Sequence, residues 1–252
     1  MKGIAGSLSV VVGGNQGIGA AVARELAKQG SDLVLIGRNP DTLAETLATV
    51  RAVGVTATSQ QIDISDVDAL TAGCALILDQ AGVPRLLVNS AGGALRKDAF
   101  DVEPAEWDRL IDTHLRGTFF ACQAFGRAMA AEGYGKIVNM SSTWATSAAR
   151  GRSVYSTAKA GISQLTAALA VEWAPLGIRV NAVAPSATRT PRVVERHQDD
   201  PTASQFSIDR IPLGRLAEVE DVVAATLFLA SKESDFVTGH TLYVDGGWQH
   251  AK

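Results

Sequence analysis

Short apolar runs alternate along this chain with stretches in which apolar residues recur every three or four positions. Runs at 8–12, 33–36, 55–61, 86–88, 136–140, 178–185 and 242–244 have the length and composition of buried strands. Helical spacing follows the glycines at 13–19 and stops at Gly30, then returns over 41–52, 67–80, 104–131, 153–173 and 219–230. Pro104 suits the first turn of its helix. Repeated strand–helix alternation predicts an α/β fold: a doubly wound parallel sheet with helices on both faces, in a single domain over 1–252. Such a sheet takes ligands at the carboxyl ends of its strands. Residues 187–213 break the rhythm, mixing charge, proline and short apolar pieces, and read as a substrate lid.

Composition narrows the field. With 252 residues, 46% of them hydrophobic, the chain has ample material for one core. A net charge of −3 without long like-charge runs points to no nucleic acid and no membrane surface as partner. No apolar run reaches membrane-spanning length and no signal-type segment opens the chain, so a cytoplasmic protein is expected. Cys74 and Cys122 lie in apolar stretches without metal-ligand spacing, so reduced thiols and no metal site are expected.

The chemistry starts at the first strand. Gly13-Gly14-Asn15-Gln16-Gly17-Ile18-Gly19 stands between a strand and a helix, the context of a phosphate-binding turn. Gly13 suits the tight turn, Gly17 the approach of a pyrophosphate and Gly19 close helix packing, with free N–H groups at the helix start facing the anion. The second strand ends in Gly37-Arg38, where an acidic residue would receive a ribose 2′-hydroxyl. Arg38 can instead hold a 2′-phosphate, which favours NADP(H) over NAD(H) as cofactor. Asp63, followed by Ile64, is either an acceptor for an adenine amino group or a helix cap. Asn89-Ser90-Ala91-Gly92-Gly93 closes the fourth strand with small residues that let a ligand approach the backbone.

Tyr155 and Lys159 are four apart near the start of a helix, hence on one face, and an ammonium beside a phenol is expected to lower its pKa. Such a tyrosine gives a proton to a carbonyl oxygen or takes one from an alcohol. Ser142, thirteen residues upstream of Tyr155, can bond the same oxygen. His114, in the helix 104–131, is either structural or a proton relay. Trp144, Arg150 and Arg152 in the following loop, and Arg189, Arg192 and Arg196 in the lid, are either substrate contacts or solvated side chains.

Taken in order, these motifs resemble the short-chain dehydrogenase/reductase family, in its short single-domain branch, from Leu8 to Trp248. The resemblance implies a Rossmann-type sheet and a cofactor loop at Gly13-x-x-x-Gly17-Ile18-Gly19. It implies adenine binding at Asp63 and an Asn-Asn-Ala-Gly motif at Asn89-Ser90-Ala91-Gly92. The catalytic triplet would be Ser142, Tyr155 and Lys159, with Lys159 also on the nicotinamide ribose. Pro185, Thr188 and Thr190 would contact the nicotinamide end. A homotetramer or a dimer, built partly on helices 104–131 and 153–173, is implied as well. Enoyl reductases of the superfamily place six residues between Tyr and Lys; three stand here, which favours ketone–alcohol chemistry on a small-molecule substrate. Val12, Ser90, Ser186 and His114 depart from the family pattern, His114 replacing an Asn that helps hold a water beside the lysine. Imidazole can also bond a water and pass protons. The alternatives are an NAD-dependent alcohol dehydrogenase of the same family and a cofactor-binding regulator without turnover.

Overall fold

In the computed structural model, which describes residues 1–199 and 201–251 and side chains outside 196–204, seven strands form one parallel sheet. They are β1 (Leu8–Val12), β2 (Asp32–Gly37), β3 (Ala57–Gln61), β4 (Leu86–Asn89), β5 (Gly135–Met140), β6 (Ile178–Pro185) and β7 (Thr241–Val244). Their order is β3-β2-β1-β4-β5-β6-β7, so the winding reverses between β1 and β4. There Val12 stands level with Ile36 on one side and Asn89 on the other. A crevice opens beyond the strand ends at this switch point.

The central strands β1, β2 and β4 are largely apolar because helices cover both faces, whereas the edge strand β3, Ala-Thr-Ser-Gln-Gln, is mostly polar. Val11, Leu33, Leu35 and Val88 point into the core beneath α1 (Gly17–Lys28), α2 (Pro40–Arg51) and α9 (Val219–Ala230). Their neighbours Val10, Val12, Val34 and Leu87 point the other way, into the core under α3 (Val67–Ala81), α5 (Gly117–Ala131) and α6 (Ser153–Trp173). Period-two alternation within a continuous apolar run thus fills two cores at once.

Local chemistry starts the helices. Asn39 accepts from the N–H groups of Asp41 and Thr42 at the head of α2, with Pro40 in the first turn. Asp66 caps α3, which leaves Asp63 free of that task. Glu103 and Glu106 form a reciprocal cap on α4 (Pro104–Ile111). The stretch 104–131 is a continuous helix as its periodicity predicts, but Asp112–Arg116 is a π segment between α4 and α5. β3 begins at Ala57, two residues later than the apolar pattern suggests, because the Thr56 N–H is taken by the Asp32 side chain. The expected irregular lid contains two helices, α7 (Pro191–Asp199) and α8 (Pro201–Ile208), each opened by a proline. No helix among the described residues is long and apolar enough to cross a membrane.

Candidate active site

A cavity of about 1120 Å³ runs along the carboxyl ends of the strands, from the β1–α1 turn to the start of α6. Its first part is backbone. Gly13 has φ +78°, and a Cβ there would lie 2.5 Å from the Ala91 nitrogen, so the turn and the end of β4 touch only because the position is glycine. Gly19 is off the cavity; a side chain on it would collide with the Gly13 carbonyl. Gln16 gives α1 no side-chain cap and no acidic residue stands in its first turn. The N–H groups that open α1 therefore face the cavity as anion donors, between Asn15, Gln16, Gly17 and Ile18.

At the β2 and β3 ends, Arg38, Asp63 and Ile64 line the same cavity. The Asn15 side chain lies against Gly37 and donates to Thr42 at 2.9 Å. Arg38 Nη1 meets Asp63 Oδ2 at 3.3 Å, while Asp63 Oδ1 accepts from the Ser65 N–H and hydroxyl. These bonds outweigh burial and hold the Asp63 carboxyl below the usual carboxylate range. Asn89 is absent from the cavity wall: its amide points inward, donating to Asn139 at 2.9 Å and to the Cys122 sulfur, and ties β4 to β5 and α5. Ala91 and Gly92 carry the wall instead, and Pro185, Thr188 and Thr190 close it from β6 and beyond.

At the far end Ser142, Tyr155, Lys159 and His114 converge on the cavity. Lys159 is buried and donates to the Met140 carbonyl at 2.6 Å; burial lowers it from 10.5 to about 8. The Tyr155 phenol is pushed up from its ordinary value, contrary to the expectation from the Tyr–Lys spacing. Burial is the main cause, and the opposing influences are a hydrogen bond with Ser142 and the charges of Arg152 and Arg192. The lysine faces the tyrosine ring, 5.8 Å from its centroid, and spends its hydrogen bond on the strand. Sharing a helix face did not imply a bond between the two heads.

His114 is buried with its ring edge-to-face on Tyr155, centroids 5.7 Å apart. The π segment turns it inward, where its Nε2 lies 2.9 Å from both the nitrogen and the oxygen of Gly93. Gly92 must be glycine for this ring to fit, because a Cβ would overlap it. Burial, then the Lys159 charge, drive the imidazole down to about 3, so it is neutral, and Nδ1 has no partner among the described residues.

The two loop arginines part company. Arg150 turns out to an ion pair with Asp98 at 2.9 Å. Arg152 is buried on the cavity wall, its guanidinium 5.3 Å from the Trp144 ring centroid and 5.8 Å from that of Tyr155. Arg189 pairs with Glu218, Arg192 lines the cavity, and the Arg196 side chain lies outside the described residues. Arg96 and Trp248 are wall residues that no motif marked. Trp248 returns over Trp144, centroids 5.5 Å apart, through the turn at Gly246-Gly247; a glycine pair followed by an aromatic at a strand's end was the available signal.

Against known proteins, the family profile described as Enoyl-(Acyl carrier protein) reductase matches residues 12–249. The chain is 35% identical over 244 residues to gluconate 5-dehydrogenase of Gluconobacter oxydans (strain 621H), covering 97% of this chain and 95% of that one. It is 39% identical over 248 residues to galactitol 2-dehydrogenase (L-tagatose-forming) of Cereibacter sphaeroides, covering 96% and 95%. A crystal structure from Agrobacterium tumefaciens with NADP bound, bearing the working name 2-deoxy-D-gluconate 3-dehydrogenase, superposes with a TM-score of 0.88 at 36% identity over 97% of this chain and 96% of that one.

Proposed function

The chain belongs to the short-chain dehydrogenase/reductase family, oxidoreductases that act on CH–OH groups with a nicotinamide cofactor, and within it we propose an NADP(H)-dependent enzyme that interconverts a ketone and a secondary alcohol at Ser142, Tyr155 and Lys159. The observation that carries this reading is one continuous cavity joining the uncapped start of α1 to the Tyr155 phenol.

The residues present fit the dinucleotide. The N–H groups of α1 and the collisions that any Cβ at Gly13 or Gly19 would cause make a backbone cradle for a pyrophosphate. Arg38 and Asn15 would take the 2′-phosphate, Asp63 and Ile64 the adenine, and Pro185, Thr188 and Thr190 the nicotinamide end, with Ala91 and Gly92 beneath. When bound, the nicotinamide accepts or supplies the hydride. Tyr155 donates its phenolic proton to the carbonyl oxygen in reduction and removes the hydroxyl proton in oxidation. Ser142 shares that oxygen by a second hydrogen bond. Lys159 places a cation beneath the ring from its anchor on Met140 and would reach the ribose. His114, neutral, packs Tyr155 in place and offers Nδ1 as the place where a proton path would continue.

The profile's description names enoyl reduction, but three residues stand between Tyr155 and Lys159, and both relatives above are dehydrogenases, which supports carbonyl chemistry. An NAD-dependent enzyme is the second reading, and the Arg38–Asp63 pair favours it by partly neutralising the arginine. That pair is well exposed, however, and such pairs are worth about 0–1 kcal/mol, so a phosphate outcompetes it readily. A homotetramer or dimer belongs to the same proposal, supported by exposed Trp107 on α4 and Val171 on α6. A cytoplasmic location is supported by two buried, free thiols.

The test is nucleotide consumption by wild type and Tyr155→Phe against a broad carbonyl panel, with NADPH and NADH. Wild type should turn over with NADPH, and the variant should lose at least about a thousandfold in kcat while binding nucleotide nearly as before. Full activity in Tyr155→Phe would overturn the mechanism.

A further inference from the structure

Ser142 opens a short turn, and that turn is tied down by the last residues of the chain. The Trp144 N–H donates to Ser142 Oγ at 3.2 Å, and the Ala145 N–H donates to the Ser142 carbonyl at 3.0 Å. A hydroxyl has a single hydrogen. With the Trp144 N–H filling a lone pair, that hydrogen is left for the other side, where Ser142 bonds the Tyr155 phenol and where a reacting oxygen would sit. The turn pivots on the Thr143 carbonyl, which accepts from the N–H groups of Thr146 and Ser147 and, at 3.2 Å, from the side-chain amide of Gln249. The oxygen of the same amide accepts from the Thr146 hydroxyl at 2.7 Å. Gln249 thus fastens both ends of the turn, although neither it nor Thr146 lines the cavity. Gln249 is itself held. Asp245 accepts from the Gly247 N–H with one carboxylate oxygen and from the Gln249 N–H with the other, both at 2.9 Å. Gly246 and Gly247, at φ +61° and +95°, reverse the chain between them. Trp248 is buried against Ile211 and Leu216, meets Trp144 edge-on and donates to Ser147.

We propose that Gln249 is a positioning residue for Ser142: its amide clamps the 143–146 turn, the Trp144 N–H of that turn orients the Ser142 hydroxyl, and Ser142 so oriented meets the reacting oxygen beside Tyr155; the inference rests on the ketone–alcohol reading above. Without the clamp Thr143 keeps its two N–H partners, so the turn survives, but its carbonyl and the Thr146 hydroxyl lose the partner that fixes them to the end of β7. The Trp144 N–H then wanders from Ser142 Oγ, and the Ser142 hydrogen faces the oxygen for a smaller share of the time. The loss falls on the chemical step. A donor aimed in advance at an oxygen that gains charge costs no reorganisation when the charge develops, and a loosened donor does. The glycine turn that would take the nucleotide lies on other elements, so its affinity is untouched. Gln249 acts only through the turn, and its effect therefore depends on the presence of the Ser142 hydroxyl.

Two measurements on the full chain test this. In amide hydrogen exchange without nucleotide, the segment 143–147 should exchange roughly three- to tenfold faster in Gln249→Met than in wild type, the value of the lost hydrogen bonds. Strand β5 should be unchanged, which reads the intact fold. Thr146→Val removes one of the two bonds from the other side and should show part of the same increase. Unchanged exchange at the turn in both variants overturns the inference whatever the enzyme turns over. In steady-state kinetics with the best carbonyl of the panel, Gln249→Met should lower kcat about three- to tenfold and leave the nucleotide KM within about twofold. In a Ser142→Ala background the same replacement should change kcat by less than about twofold, because the group it positions is gone. A merely structural role would lower kcat equally in both backgrounds, and that result also overturns the inference. Faster exchange at the turn in a protein that turns over no carbonyl or alcohol would keep the clamp and sink the proposed reaction.

Discussion

Replacing Lys159 with Met tests how the site treats its buried cation. Lys159 is 5% exposed, and burial lowers it from 10.5 to about 8. Below about pH 8 it is charged in both folded and unfolded chains, and the folded chain bears the full cost of desolvation. Between the two values the unfolded chain still holds a proton that the folded chain has released. Stability therefore rises with pH across that window, is fully recovered above it, and is lost again as pH falls through about 8. At about 1.4 kcal/mol per pH unit the whole interval is worth ~3 kcal/mol, of which ~2 kcal/mol returns between about pH 7 and about pH 9.5. Urea unfolding of wild type and Lys159→Met without nucleotide, at both pH values, reads this directly. Wild type should gain ~2 kcal/mol relative to the variant on going from the lower pH to the higher. Other titrating groups cancel in that comparison. Losing the donor to the Met140 carbonyl costs the variant roughly 1–3 kcal/mol, but equally at both pH values. A wild-type-minus-variant difference that does not move with pH would refute the argument. The chain gives up stability at neutral pH to keep a cation under Tyr155, a trade usual at functional sites.

Two further outcomes follow from the same geometry. Arg38→Asp sets a second carboxylate beside Asp63 and should lower the NADPH-to-NADH preference in kcat/KM by about ten- to a hundredfold, the value of a charge-assisted hydrogen bond; an unchanged ratio would remove Arg38 from the phosphate site. His114 sits at about 3 and is neutral throughout the assay range, so the profile of kcat/KM for reduction should show no limb between roughly pH 5 and pH 8. The fall should come only on the alkaline side, first as Lys159 loses its charge at about 8 and then where Tyr155, raised by burial, loses its proton. A neutral-range limb that vanishes in His114→Asn would show that the histidine titrates after all.

The sheet and the glycine turn were legible because their signals are local. A strand, its glycine turn and its helix are contiguous, and the anion donors of α1 belong to that same stretch. What sequence pattern could not carry was the direction of side chains whose partners are remote. Arg150 and Arg152 are two residues apart in one loop and look alike; only the fold sends the first to Asp98 and the second against Trp144. Asn89 sits in a motif of ligand-facing residues yet turns into the core, because Asn139 and Cys122 across the sheet give its amide a buried partner. The pair Pro191 and Pro201 looked like loop chemistry and instead opens two short helices, since proline is as much at home in a first turn as in a bend.

The π segment shows why the substrate end depends on the whole assembly. Apolar spacing over 104–131 reads as one helix, and a single wide turn leaves no mark on a pattern that long. Yet that turn aims His114 at Tyr155, and the aim works only because Gly92, in the loop after β4, has no side chain. Tyr155 is then held between His114 and Arg152, Arg152 against Trp144, and Trp144 by Trp248 from the far end of the chain. The contacts of His114 with Tyr155 and Gly92 and of Trp248 with Trp144 join elements distant in sequence, so three segments outside 142–159 fix what the proposed reactive groups of that stretch can reach. Substrate choice is therefore expected to change by substitutions outside the motif, at the segments that carry Gly92, His114 and Trp248.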